Sequence, residues 1–96
     1  MKKTKFFVTM SGKTPTAKQV DGYYVYIDGV AIGLHRWDKK DNWTVTEHST
    51  GFKITDGETR EKALEKARPY LAQVLEMISK PKCKPIKDMI QAAYAA

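Results

Sequence analysis

A chain of 96 residues with 42% apolar and 29% charged side chains reads as one globular domain, not a disordered segment. No apolar run reaches the ~18 residues that span a bilayer. After Lys2-Lys3 only Phe6-Phe7-Val8 is apolar, where a secretory leader needs about 7–15 such residues, so a cytoplasmic chain away from membranes is expected. Seventeen Lys and Arg against eleven Asp and Glu give a net charge of +6, which favours a polyanionic partner through counterion release.

Lys5 to Met10 alternates, with Phe6, Val8 and Met10 on one side, as a short strand does. Ser11 to Asp21 contains Gly12, Pro15, Lys and Thr without apolar periodicity, and is expected to be a loop. Tyr23-Tyr24-Val25-Tyr26-Ile27 is rich in aromatic and β-branched residues. Asp28-Gly29 suits the positive φ angles of a tight hairpin turn, and Val30, Ile32 and Leu34 alternate after it. A polar turn over 38–42 leads to the strand Trp43-Thr44-Val45-Thr46, and Ser49-Thr50-Gly51 turns into Phe52-Lys53-Ile54. Strands joined by such short turns pair as an antiparallel meander.

The period then changes. Leu64, Ala67, Leu71, Val74 or Leu75, and Ile78 recur at helical spacing, and Thr59 is placed to cap that helix. Pro69 removes a backbone donor inside the pattern and predicts a kink or a helix in two pieces. Lys80 to Pro85 breaks the helix, and Pro85 opens another whose face carries Ile86, Met89, Ile90, Ala93 and Tyr94. The expected fold is α+β in one domain. An antiparallel β-meander of four to five strands over 1–57 is followed by an amphipathic helix over 58–79 on one sheet face and a short helix over 85–95. Val25, Ile27, Ile32, Trp43, Val45, Ile54, Leu64, Leu71 and Ile78 are the core candidates.

Several chemistries are excluded on spacing. Ser11-Gly12-Lys13-Thr14 resembles the end of a phosphate-binding loop, but Phe7 stands where that motif needs glycine and Pro15 follows where it needs a helix. His35, His48 and Cys83 have no metal-ligand spacing, so no metal and no cofactor is expected. His35 lies opposite Ile32 and Leu34 on its strand and reads as a surface histidine. Cys83, between Lys82 and Lys84, reads as an exposed thiol; with no base beside it in sequence, no catalytic residue is assigned and no enzyme is expected. The positive signal is aromatics interleaved with cations. Arg36, Lys39, Lys40 and Lys53 are candidates to contact nucleic-acid phosphates, with Trp37 stacking on a base.

Two resemblances bear on this. Trp43 to Thr46, Thr50-Gly51-Phe52-Lys53-Ile54, Gly57-Glu58-Thr59-Arg60, then Ala63-Leu64 and Ala67 resemble a pattern of small bacteriophage and mobile-element proteins: strand, Thr-Gly turn, strand, Thr-Arg-opened helix. In outline the layout is also similar to the arm-binding domains of tyrosine recombinases, which lay a sheet in the DNA major groove. The resemblances imply an accessory protein in the host cytoplasm that binds nucleic acid through the sheet and its turns. The alternative is a protein-binding inhibitor or adaptor of host nucleic-acid machinery, of the anti-CRISPR kind. It would dock through the unpaired sheet face or through the helix anchors Ile86, Met89, Ile90 and Tyr94, a surface that would also serve a homodimer.

Overall fold

In a computed structural model describing residues 1–96, five antiparallel strands pair strictly in chain order: β1 (Lys2–Met10), β2 (Thr16–Ile27), β3 (Val30–His35), β4 (Trp43–Glu47) and β5 (Lys53–Gly57). The β2–β3 turn places Asp28 at φ 51° and Gly29 at φ 83°, so both residues take the left-handed region that this dipeptide tolerates. The helical half is α1 (Arg60–Ala67), a 3₁₀ turn over Arg68–Tyr70, α2 (Leu71–Ile78), a second 3₁₀ turn over Pro81–Cys83, and α3 (Lys84–Ala95). Thr59 caps α1 by accepting from the Lys62 N–H at 3.1 Å. Pro69 splits the helix as its missing N–H requires, with the 3₁₀ turn between the two pieces.

The main core lies between one sheet face and the α1–α2 pair. Register puts Tyr23 opposite Leu34, Val25 opposite Ile32 and Leu34 opposite Val45, so these side chains share a face. Val30, Ile32, Leu34 and Val45 are buried there against Ala63, Ala67, Leu71 and Val74; Trp43, Ile54, Leu64 and Ile78 are partly buried at its margin. Each fully buried branched aliphatic side chain contributes about 1.5–3 kcal/mol relative to leaving it in water. Alanine at 63 and 67 lets α1 approach the strands closely.

The opposite face carries a second core that the alternation alone does not predict. β2 begins at Thr16, so the expected loop over 11–21 is strand from Thr16 onward. Its pairing with β1 (Met10 opposite Thr16, Phe6 opposite Val20) supplies the hydrogen bonds, while Val20 is the only side chain from 16 to 21 that is buried. One buried residue in six leaves no period to detect. The resulting β1–β2 arm curls across the sheet. Phe6, Val8 and Val20 cluster beneath it, and the Phe6 ring occupies the space over Gly33 that any side chain would fill, 2.4 Å from the ideal Cβ position. The free edge of β1 is tied down at two places. Thr9 N–H donates to Gly51 O at 2.9 Å and its hydroxyl to Thr50 O at 2.6 Å; Phe7 N–H donates to the Tyr94 hydroxyl at 3.2 Å. These bonds satisfy edge groups that would otherwise be open to another chain.

α3 packs on β1 and β2, with Ile90 buried. Cys83, expected as an exposed thiol, is buried at the α2–α3 corner, its Sγ 3.3 Å from Met77 O. The proline-flanked corner turns the chain from α2 toward β1 and β2, where α3 packs, and takes the thiol inside.

Candidate nucleic-acid interface and an adjoining groove

β3 ends at His35, and the next residues enter the exposed loop over 36–42. Trp37 is 51% exposed there, its ring edge-on to His35 with centroids 4.7 Å apart. Arg36 is exposed, but its guanidinium lies over the Trp43 ring at 4.6 Å and its Nη1 donates to Lys39 O at 3.2 Å. Arg60 extends this stack, 4.2 Å from the Tyr23 ring centroid. Lys39 and Lys40 are exposed in the same loop. Arg36, Trp37, Lys39 and Lys40 are therefore together. Lys53 lies on β5, across a groove from Trp37, and is paired to Asp56 at 2.9 Å. The structure adds two cations absent from the sequence-derived set. Lys18 Nζ lies 6.0 Å from the Trp37 ring, and Lys3 shares a shallow recess of about 420 Å³ with Arg36, Trp37 and Lys39 and with the carboxylates of Asp21 and Asp38. Both come from the β1–β2 arm, and only their membership of the basic first twenty residues hints at them.

A groove of about 310 Å³ opens between the arm and strands β3 to β5. Val8, Thr9 and Met10 form one wall; Thr44 and Thr46 form the other; Trp37, Asp41, Asn42, Lys53 and Asp56 edge it. His35 lines it. Contrary to the surface position expected, His35 is 2% exposed, and neither ring nitrogen has a hydrogen-bond partner in the protein. It does point away from Ile32 and Leu34, but the curled arm and Phe6 (ring centroid at 5.8 Å) cover that face as well. Burial pushes the His35 pKa below its ordinary value of 6.5, so the imidazole is neutral near pH 7 and offers one donor and one acceptor. The Asp56 carboxyl is held below its ordinary value by the hydrogen bond and charge of Lys53.

The face of α3 is turned inward except at Tyr94, which is 42% exposed. Ile90 is 1% exposed, Ile86 and Met89 are partly buried, and the Tyr94 ring packs edge-on to Phe7 at 4.9 Å and stacks on His48 at 5.4 Å. The Tyr94 hydroxyl is 3.1 Å from His48 Nε2. Burial lowers the His48 pKa, partly offset by the Glu47 charge, and raises that of Tyr94. Among the histidine, cysteine and acidic side chains, no group of three is placed to hold a metal ion, and no helix is long and apolar enough to cross a membrane.

The two histidines make stability pH-dependent. The unfolded chain takes up their protons as pH falls through about 6.5, while the native state resists. Their contribution is flat above that pH and becomes destabilising below it. Urea midpoints should be equal at pH 8.0 and 7.5 and lower at pH 5.2, and His35→Phe should reduce the drop. An unchanged midpoint at pH 5.2 contradicts the burial of both rings.

No family model matches the chain, and no curated protein or solved structure matches it either.

Proposed function

We propose that this protein is a non-enzymatic binder of single-stranded nucleic acid, held along the strip formed by the β1–β2 arm and the 36–42 loop. The observation that carries the reading is the exposed Trp37 ring beside Lys3, Lys18, Arg36 and Lys39, cations that outnumber Asp21 and Asp38 in the same recess and form no ion pair with them. The five ion pairs engage Lys5, Lys53, Lys62, Arg68 and Lys84, so Lys3, Lys18, Arg36 and Lys39 near the ring, and Lys40 in the same loop, are free of salt bridges. A protruding aromatic stacks on any unpaired base while lysines follow the backbone. A sheet face laid in a major groove is less suited to this chain, because a core covers each face. An accessory role in a bacteriophage or other mobile element, raised by the strand–turn–strand–helix pattern, belongs to the same proposal.

Fluorescence anisotropy with labelled single strands and duplexes at 50 and 200 mM salt tests it. Single strands should bind more tightly than duplexes. Five phosphate contacts at a slope near 0.7 each imply a loss on the order of a hundredfold over that salt range. Trp37→Ala should weaken binding roughly 5- to 150-fold, the value of one stacked base. The paired change Lys39→Glu with Lys40→Glu should flatten the salt dependence, whereas Lys62→Glu on α1 should not. Absence of binding to any strand at 50 mM salt overturns the reading.

A further inference from the structure

We infer that the groove lined by His35 is a pocket for one unpaired base of the bound strand, selecting bases that carry an exocyclic amino group. The inference rests on the single-strand reading above and deepens it. Three independent observations converge on this occupant.

The first is the unpartnered imidazole. A polar ring that is 2% exposed, with two unpaired nitrogens, is a costly thing to keep in an otherwise satisfied interior. Neutral imidazole presents a donor and an acceptor together, and the edge of a nucleobase presents the complementary pair. The second is charge. Asp41 and Asp56 at the groove's edge outnumber Lys53, which Asp56 already holds at 2.9 Å. A phosphate is repelled from such a site, whereas an amino group of adenine, cytosine or guanine is attracted, since carboxylates accept from base amines. Thymine and uracil have no such amine. The third is position. Trp37 lies at once on the edge of this groove and in the basic recess, so a backbone tracked by Lys3, Lys18 and Lys39 passes the groove's mouth. The Trp37 ring is half exposed and edge-on to His35 with centroids 4.7 Å apart, so an outward rotation of this one side chain would open the imidazole to a base and present the indole face to it.

Two measurements test this on the full chain. In the first, histidine ring ¹⁵N resonances are followed while adenosine, cytidine, uridine or ribose 5-phosphate is added. Adenosine and cytidine should move the His35 resonances, uridine less, and ribose 5-phosphate not at all. In the second, affinities for oligo(dA), oligo(dC), oligo(dT) and an abasic strand of equal length are compared in wild type and in His35→Phe. The phenyl ring keeps the packing and removes both polar atoms, so the variant should fold. Wild type should prefer oligo(dA) and oligo(dC) over oligo(dT) by about fivefold or more. In His35→Phe that ratio should approach one, with the salt dependence retained. Equal, salt-dependent binding of oligo(dA), oligo(dC) and oligo(dT) by wild type, with the abasic strand bound more weakly, overturns the pocket and leaves the single-strand reading standing, whereas an abasic strand bound as tightly as the others overturns both. Nucleoside-induced shifts of His35 without binding of any strand at 50 mM salt support the pocket and overturn the strand reading. His35 resonances indifferent to every nucleoside overturn the pocket outright.

Discussion

Gly22→Ala is expected to destabilise the domain by about 3 kcal/mol or more, beyond the common range for an overpacked site. A Cβ at this position would stand 1.9 Å from Leu34 O and 3.0 Å from the Phe6 ring. The first of these atoms is backbone in the middle of the sheet and has no rotamer by which to yield. Gly22 lies where the β1–β2 arm leaves the part of β2 that pairs with β3, so the added methyl separates the arm from β3 and exposes Phe6, Val8 and Val20 together. Gly12→Ala is the control. Its Cβ would meet only Thr14 O at 3.7 Å, and its effect should stay within about 0.5 kcal/mol. Urea titrations of the two variants decide the matter. A Gly22→Ala midpoint indistinguishable from that of Gly12→Ala means the arm does not close over the sheet as described.

Glu47→Ala should cost on the order of 3 kcal/mol and loosen the same arm from its other end. The Glu47 side chain is 2% exposed, and its carboxylate is the hub of the β4–β5 turn. It accepts from Ser49 N–H and Thr50 N–H, both at 2.9 Å, and from the hydroxyls of Ser49 at 2.9 Å and Thr50 at 2.7 Å. Thr50 is fully buried, so removing the carboxylate strands its two donors where water does not reach, at about 1–3 kcal/mol for each unsatisfied group. Glu47→Gln should fall between, because the amide oxygen can serve Thr50 while the NH₂ faces donors. The turn carries the Thr50 and Gly51 carbonyls that receive Thr9, so its loss should also raise amide exchange at Thr9 and open the groove wall. A cost under 1 kcal/mol, with Thr9 exchange unchanged, would show that the carboxylate is dispensable to the turn.

The candidate interface was partly legible before the fold was known. Arg36, Trp37, Lys39 and Lys40 are neighbours in sequence and remain neighbours in space, so local composition was enough to find them. What composition does not show for Lys53 is its ion pair with Asp56, three residues on along the same strand. The nearness of Lys3 and Lys18 to Trp37 is not readable from the sequence, because strand register, not proximity along the chain, brings them there. His35 was misjudged for a related reason. Alternation correctly assigns it to the face opposite Leu34, but alternation cannot say whether that face is covered.

By itself the sequence determined the features that are local or periodic: the two-residue spacing of the strands, the Asp28-Gly29 turn, the Thr59 cap, the break at Pro69 and the restart at Pro85. Each follows from interactions within a few residues, and each is in the fold. Only the tertiary structure decided that the β1–β2 arm bends over the sheet, that a second core forms around Phe6, and that His35, Cys83 and Glu47 lie inside. Those outcomes depend on contacts such as Phe6 with Gly33 and Thr9 with Gly51, between residues tens of positions apart. Such contacts form only when sheet curvature brings the chain back on itself, and no window of neighbouring residues encodes that closure.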